Sequence, residues 1–279
     1  MISKITALAA DIDMTLAFKG EDIPPIVREA FVDLHNRGVK LGLATGREVT
    51  DKLKAQARMW SLPFDFDFLI GMNGGMLYDL EDDSLWSMEP LTTDKMKEIM
   101  NYMMPLVDKY RISVNAEGLK NNNAMNIQGE LLEAAKRHGF PFEDKTGDVD
   151  GFCNTPAFKI LFRTEEEHEA EVRQYFLERF GDEYQMIGTF PGTVEAMQKG
   201  ISKGEGLLRY AAKHQIPIEE IIAFGDNEND NSLLIEAGWG VCVKGGAQST
   251  MDAADAVTEY TCAEGGVGHY LFDHYLNQK

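Results

Sequence analysis

Short apolar segments that alternate with helical segments dominate the first 70 residues of this chain. Residues 5–10 form a nearly continuous apolar run, which is typical of a parallel strand buried on both faces. Residues 24–37 carry apolar side chains at helical spacing. Further strand patterns follow at residues 39–44 and 66–70, separated by a predicted helix at residues 48–59. This order of strands and helices predicts the beginning of a doubly wound parallel sheet.

The pattern changes after residue 82 and returns near residue 188. The stretch between them mixes helix and strand patterns, and Thr164 followed by Glu167 has the spacing of a helix capping box. Strands and helices then alternate again. We therefore expect an α/β core with a Rossmann-like sheet, formed by residues 1–82 and 188–279. A separate α+β domain is expected to be inserted at residues 83–187.

Charge and cysteine content restrict the function of the chain. It carries 27 Lys and Arg against 46 Asp and Glu, a net charge of −19. Nucleic acids and anionic membranes are bound by basic surfaces, so neither is expected as a partner. Three widely spaced cysteines predict free thiols, and no apolar run reaches about 18 residues. Free thiols are normal in a reducing cytosol, so we expect a cytoplasmic protein. We also expect a monomer or a weak homodimer.

The first apolar run ends in an acidic motif, Asp11-Ile12-Asp13-Met14-Thr15. Residues two apart in an extended chain point to the same side, so the two acids can share one site. That site would lie at the carboxyl end of the first strand, where open α/β sheets bind ligands. Taken alone, the same pair of acids is equally compatible with a solvated acidic turn.

Two further motifs offer donors for a phosphate group. Thr45-Gly46-Arg47 leaves the second predicted strand and provides a hydroxyl, free amides and a guanidinium. Lys203 stands at the start of a predicted helix. Taken singly, the first is also an ordinary glycine-containing turn, and the second is also an ordinary surface lysine.

A fourth motif, Gly-Asp-Asn-Glu-Asn-Asp at residues 225–230, follows the apolar run 221–224. Its cluster of side-chain oxygens near a strand end favours a hard cation. The alternative is that Asn229 or Asp230 serves only to cap the next helix.

In order and spacing, the four motifs resemble those of the haloacid dehalogenase superfamily of phosphohydrolases. That family has DxDxT after the first strand, Thr or Ser after the second, then a Lys, and GDxxND near the last strands. All four are present here in that order. The segment 83–187 resembles the C2B cap of the Cof-type subfamily in size and position. The stretch Met72-Asn73-Gly74-Gly75 before a predicted hairpin also resembles that subfamily.

The resemblance implies a Mg²⁺-dependent phosphatase that acts on small phosphorylated metabolites, with sugar phosphates as the expected substrates. Asp11 would attack phosphorus and form a phosphoaspartate, and Asp13 would serve as general acid and base. Mg²⁺ would be held by the Asp11 carboxylate, the Asp13 carbonyl and the Asp226 carboxylate. The donors to the phosphate would be Thr45, Gly46, Arg47, the catalytic Lys203 and Asn229. Asp230 and Thr15 would hold the site residues in place without binding the phosphate.

Two positions depart from the family pattern. Met14 stands where the family usually has Gly, so we expect a negative φ there. Lys-Gly-Gly-Ala at residues 244–247 replaces a usual Met-Gly-Asn-Ala and removes one amide side chain near the site.

Three other functions remain compatible with parts of this pattern. A phosphomutase of the same superfamily would need a bisphosphate activator and would release little free phosphate. A phospho-accepting signalling domain also uses an Asp, a Thr and a Lys, but such domains are far shorter and lack a second acid two residues after the acceptor. A non-catalytic Mg²⁺-binding relative would have no need of both Asp11 and Asp13.

Overall fold

The computed structural model describes residues 3–18, 21–138 and 142–277. The chain divides into two compact units. The first consists of Met1–Ser87 together with Ile201–Lys279, and the second of Met88–Gly200. Within the described ranges, no helix is both long enough and apolar enough to cross a membrane.

Strands and helices alternate along most of the chain. The strands are β1 (Ala7–Ala10), β2 (Lys40–Ala44), β3 (Phe68–Gly71), β4 (Met76–Asp79), β5 (Ser84–Ser87), β6 (Ser113–Glu117), β7 (Asn123–Met125), β8 (Glu143–Asp144), β9 (Lys159–Arg163), β10 (Tyr184–Phe190), β11 (Thr193–Gln198), β12 (Ile221–Gly225), β13 (Trp239–Lys244) and β14 (Ala256–Thr261). The α-helices are α1 (Pro25–Asn36), α2 (Asp51–Lys54), α3 (Gln56–Met59), α4 (Thr93–Tyr110), α5 (Gly129–His138), α6 (Val149–Phe152), α7 (Glu166–Phe180), α8 (Lys203–His214), α9 (Asn231–Glu236), α10 (Gln248–Ala253) and α11 (Gly266–Leu271). Short 3-10 turns span Met72–Gly74, Ile218–Glu220 and Glu228–Asp230, and a π-helical turn spans Phe272–Leu276.

The first unit is built around an eight-stranded sheet in the order β14-β13-β12-β1-β2-β3-β4-β5. The strands from β14 to β3 run parallel to their neighbours, and β4 and β5 add an antiparallel edge. Every residue of β1 is fully buried, as a parallel strand covered on both faces requires. The predicted α/β class, with a doubly wound parallel sheet, is confirmed.

The direction of strand addition reverses at β1, because β2 lies on one side of it and β12 on the other. At such a switch point the loops leaving adjacent strands diverge and open a crevice at the carboxyl ends of the strands. Asp11 leaves β1, Thr45 leaves β2 and Asp226 leaves β12. The topology therefore brings three of the four motifs to one place.

The second unit has its own six-stranded sheet, in the order β10-β11-β9-β6-β7-β8. Its neighbouring strands are antiparallel except for the parallel pair β7 and β8. Helices α4 and α7 supply apolar residues to the core of this unit, among them Ile99, Met103 and Phe176. The arrangement is α+β, as the mixed helix and strand patterns predicted.

The division between the units differs from the predicted boundaries of residues 82/83 and 187/188. The units separate at Ser87/Met88 and at Gly200/Ile201. The larger difference arises because β10 and β11 form a hairpin that pairs with β9 in the second sheet. A strand pattern in the sequence shows that a segment pairs, but not which sheet it joins.

Three local predictions were wrong. Met14 has a φ of +69°, in the left-handed region, where a negative value was expected. The residue before α7 is Glu165 and makes no side-chain cap, so the capping box expected from Thr164 does not form. The single helix predicted at residues 48–59 is divided into α2 and α3 at Ala55.

Candidate active site

A buried lysine connects two carboxylates at the carboxyl ends of β1 and β12. Lys203 is fully buried, and its Nζ donates to Asp11 Oδ1 at 2.7 Å and to Asp230 Oδ1 at 2.5 Å. Lys203 is the first residue of α8, which begins at an N-cap formed by Ser202. The first turn of this helix packs closely on α9, since a Cβ on Gly204 would lie 2.4 Å from the Ser232 carbonyl oxygen. Helix packing thus fixes where the ammonium group lies.

The loop after β12 is held by its own acidic residue. Asp230 Oδ2 accepts hydrogen bonds from the backbone amides of Asp226 (2.9 Å) and Asn227 (3.1 Å). Thr15, from the first motif, donates its hydroxyl to Asp226 Oδ1 at 2.6 Å. These contacts join the first and fourth motifs and direct Asp226 toward Asp11.

Asp13, the second acid of the first motif, forms an ion pair with Arg47. The guanidinium of Arg47 binds the Asp13 carboxylate through two nitrogens, with distances from 2.7 to 3.1 Å. Both side chains are partly exposed. Arg47 was predicted to bind phosphate, and the structure places it on Asp13.

The turn after β2 is buried at its start. Thr45 is 1% exposed, and its Oγ1 accepts a hydrogen bond from the Arg47 amide at 3.3 Å. Gly46 lies between them and is half-buried. The turn therefore carries a hydroxyl and backbone amides at the carboxyl end of a central strand.

One residue of this region was not predicted as part of the site. Asn73 is buried, and its Oδ1 accepts a hydrogen bond from Asn229 Nδ2 at 3.1 Å. Its backbone amide donates to the Thr45 carbonyl oxygen at 3.1 Å. The Asn-Gly-Gly stretch at residues 73–75 was the available signal, but it was interpreted only as a mark of the subfamily.

The site holds more negative than positive charge. Four carboxylates (Asp11, Asp13, Asp226 and Asp230) meet two cations (Lys203 and Arg47), a formal balance of 2 − 4 = −2.

The titration of the acids and of the lysine reflects this imbalance. Burial raises the pKa of the Asp11 carboxyl well above its usual range, and Lys203 only partly opposes this. Burial and the nearby Asp230 raise the pKa of Asp226 to about 7, although the Thr15 hydrogen bond lowers it. Burial alone would lower the pKa of Lys203, but Asp11 and Asp230 raise it, so the lysine stays charged.

A divalent cation would neutralise this excess, and the donors suit a hard cation. One oxygen from each of Asp11, Asp226 and Asp230 lies within 4.8 Å of the other two. Asp230 already directs its oxygens to Lys203 and to two amides, so Asp11 and Asp226 are the better placed ligands. Carboxylate oxygens in a sparse set are the ligands that Mg²⁺ accepts.

Comparison with known proteins agrees with this fold. The family model of haloacid dehalogenase-like hydrolases matches residues 8–271. A putative phosphatase of Streptococcus pyogenes serotype M6 is 24% identical over 274 residues, covering 98% of this chain and 99% of that protein. A 5-amino-6-(5-phospho-D-ribitylamino)uracil phosphatase of Bacillus subtilis is 23% identical over 279 residues, covering 99% of both.

A solved structure shows the same architecture over nearly the whole chain. The structure of a sugar phosphatase of subclass IIB of this superfamily has a TM-score of 0.77 and 22% identity, with 97% of this chain and 99% of that one covered. The family model spans both units of the chain, including the inserted α+β unit. The chain therefore belongs to the haloacid dehalogenase-like hydrolase family, and it is a phosphatase of that family with the Cof-type, subclass IIB architecture.

Proposed function

We propose that the enzyme hydrolyses small phosphate monoesters in two steps, through a phosphoaspartate on Asp11 and with Mg²⁺ as its cofactor. Phosphate monoesters hydrolyse extremely slowly in water, and enzymes accelerate the reaction by up to about 10²¹-fold. A carboxylate that first accepts the phosphoryl group divides this barrier into two smaller ones.

The contact between Lys203 and Asp11 carries the proposal. The lysine binds Oδ1 of Asp11, and in the described residues no hydrogen bond engages Oδ2. One oxygen is thus fixed by a cation while the other is free to attack phosphorus. The ammonium group lies where it can also neutralise charge on the phosphoryl oxygens during transfer.

Asp13 would move the protons of both steps. In the first, Asp11 Oδ2 bonds to phosphorus, the ester oxygen–phosphorus bond breaks, and protonated Asp13 gives its proton to the leaving oxygen. In the second, Asp13 takes a proton from water as that water attacks phosphorus, which releases inorganic phosphate and restores Asp11. Between the two steps Asp13 is a carboxylate, and the ion pair with Arg47 would hold it in place there.

The remaining polar groups would bind the phosphoryl group. Thr45, Gly46 and Asn229 offer a hydroxyl, a backbone amide and a side-chain amide as donors, and Arg47 can exchange its contact with Asp13 for one with the substrate. These donors meet the equatorial oxygens, where charge lies in the transition state.

Mg²⁺ would be held by the carboxylates of Asp11 and Asp226 and by the backbone carbonyl of Asp13. When bound, it supplies the charge that allows a carboxylate to approach a phosphate dianion. The close oxygens of Asp11 and Asp226 and the excess of two negative charges support this assignment. Asp230 and Thr15 would position the ligands rather than bind the ion.

Among small phosphorylated metabolites, sugar phosphates are the substrate class that we favour. One similar structure is described as a sugar phosphatase, and one relative is named for a substrate with a phosphorylated ribityl chain. The second unit would act as the cap that selects the leaving group. The three cysteines are free and buried, which suits the reducing cytoplasm.

The test is a screen of phosphorylated metabolites and an aryl phosphate, with detection of released inorganic phosphate, for the wild-type enzyme and the Asp11→Asn variant. The wild type should release phosphate only with Mg²⁺ present and should lose this activity in excess chelator. The D11N variant should lose nearly all turnover while melting as a folded protein. A D11N variant that retains more than about a tenth of the wild-type rate, a loss under about 1.4 kcal/mol, would show that Asp11 is not the nucleophile.

A further inference from the structure

The loop between β3 and β4 has an unusual backbone for a buried segment. Met72 and Asn73 have φ values of +49° and +52°, and Gly74 has +101°. All three residues are buried. Left-handed conformations are costly for residues other than Gly, although Asn tolerates them best, so such a run persists only where the surroundings enforce it.

The loop contacts three of the four motifs. The Met72 amide donates to the Arg47 carbonyl oxygen at 2.9 Å, and the Asn73 amide donates to that of Thr45 at 3.1 Å. A Cβ on Gly74 would lie 1.9 Å from the carbonyl oxygen of Ser202, the residue before Lys203. The backbone of the loop thus packs directly against the second and third motifs.

The side chain of Asn73 adds the contact to the fourth motif. Its Oδ1 accepts a hydrogen bond from Asn229 Nδ2 at 3.1 Å. A primary amide carries two N–H donors, so this bond leaves the second N–H of Asn229 available. If the Asn229 amide were turned over, its oxygen would face the Asn73 oxygen, and two acceptors would repel. With the Asn73 oxygen in this position, Asn229 is held in the orientation in which it is a donor.

We infer that Asn73 is a positioning residue for catalysis, which sets the amide of Asn229 as a phosphoryl donor. The inference rests on the proposed function, because it assigns Asn229 to the phosphoryl group. Asn73 acts through Asn229 and through the Thr45 turn. Its loss should lower kcat more than it raises KM, because donors aimed at the phosphoryl group matter most when transition-state charge develops.

The Asn73→Gly variant removes the amide but retains a residue that adopts positive φ without strain. With an aryl phosphate as substrate, kcat should fall by about 10- to 100-fold, the usual cost of losing an outer partner of a site ligand. KM should change by less than about threefold, since ground-state binding loses little. The Gln215→Gly variant is the matched control, because Gln215 also has positive φ (+53°) but lies at the far end of α8. Its kcat should equal that of the wild type.

A double-mutant cycle separates positioning from a purely structural role. In an Asn229→Ala background, N73G should cost less than about twofold further in kcat, because the amide that it orients is gone. A loss in that background as large as in the wild type, or an N73G enzyme with unchanged kcat, would overturn the inference. Should N73G not fold, Asn73→Ser replaces it, since a Ser hydroxyl is too short to reach Asn229.

The Asp11→Asn variant, assayed in the same series, keeps this inference separate from the proposed function. Activity retained by D11N would overturn the nucleophile assignment, whatever the result for Asn73. Full loss in D11N together with wild-type kcat in N73G would overturn the inference about Asn73 alone.

Discussion

Each unit of the molecule contains a lysine buried between two carboxylates. In the first unit, Lys203 Nζ lies 2.7 Å from Asp11 and 2.5 Å from Asp230. In the second, Lys159 Nζ lies 2.9 Å and 3.1 Å from two glutamates. Burial alone would lower the pKa of both lysines, yet the neighbouring carboxylates raise both. The immediate contacts of the two lysines are therefore almost the same.

The positions of these contacts in the fold differ. Lys159 lies on β9, opposite Glu117 of β6 in the strand register, and its other partner, Glu195, lies on the adjoining strand β11. These ion pairs connect three strands within one sheet. Lys203 instead connects the start of a helix to acids that follow β1 and β12, at a switch point of a parallel sheet.

The surroundings of Lys203 carry an excess of negative charge. Around Lys203 the acids exceed the cations by two charges, and burial raises the pKa of Asp11 well above its usual range. Such an excess destabilises the fold unless a bound cation compensates it. The comparison teaches that a buried ion pair alone does not identify an active site. The feature that points to an active site is the excess of acidic over basic side chains at the strand ends.

The largest expected difference is between two lysine variants. Lys203→Met should lower kcat for an aryl phosphate by at least about a thousandfold, or about 4 kcal/mol, because the charge beside the nucleophile is lost. Lys159→Met should change kcat by less than about threefold. Its free energy of unfolding should instead fall by about 3 kcal/mol, since the buried Glu195 loses its ion pair with Lys159. Steady-state kinetics and urea unfolding of both variants measure this, and equal kcat losses would remove the distinction.

A smaller effect is expected from the metal ligands. Asp226→Asn should raise the Mg²⁺ concentration for half-maximal activity at least about tenfold, because a direct charged ligand is lost. Glu228→Gln, in the same motif, is the control and should shift it by less than about twofold. The measurement is a Mg²⁺ titration of phosphate release. Matching curves for D226N and the wild type would show that Asp226 does not bind the ion.

The titration of Asp226 predicts a moderate pH effect. Its pKa of about 7 lies above that of an unfolded Asp, so the folded protein holds a proton that the unfolded chain has released between about pH 4 and 7. In chelator, this group therefore makes the protein less stable as the pH rises through that window. Urea unfolding across pH 4–8 should show this slope in the wild type and a smaller one in D226N.

Without metal, Asp226 favours its protonated form. Mg²⁺ favours the charged form instead, since the ion binds the carboxylate and competes with the proton. The Mg²⁺ concentration for half-maximal activity should therefore rise as the pH falls below about 7. A requirement for Mg²⁺ that stays constant between pH 6 and 8 would contradict the raised pKa of Asp226 in the metal-free site.

The smallest expected effects come from glycine substitutions at residues with a left-handed backbone conformation. Lys120, in the second unit, is exposed with a φ of +64°. Lys120→Gly should raise the free energy of unfolding by about 0.5 kcal/mol, because relief of about 1–2 kcal/mol of strain exceeds the conformational cost of Gly. Met14→Gly should be close to neutral, since loss of a half-buried side chain offsets the same relief. A loss of more than about 1 kcal/mol in either variant by urea unfolding would contradict this view of the strain.

Much of the fold was predictable because its signals are local. Continuous apolar runs identify buried parallel strands, and the ends of β1 and β12 were predicted to within two residues. Asp11, Thr45, Lys203 and Asp226 were named as site candidates because motifs at strand and helix ends require little knowledge of packing.

The remaining details depend on contacts between distant residues. The left-handed Met14 is one example, because φ there is set by how the first loop closes: the Met14 amide donates to the Ala17 carbonyl oxygen at 2.9 Å. The contact between Asn73 and Asn229 is another, since 156 positions separate the two residues in the chain. The pairing of Arg47 with Asp13 also depends on two loops that only the folded sheet brings together.

The central claim is that Asp11 carries the phosphoryl group between the two steps, and trapping that group tests it most directly. The wild-type enzyme is mixed with a radiolabelled phosphate monoester and Mg²⁺, quenched in acid within the first turnovers, and digested for peptide mapping. We expect label on the peptide that contains Asp11, stable in acid and lost in base, and absent from D11N. Label on another residue, or rapid release of free phosphate with no labelled protein at any quench time, would contradict the account.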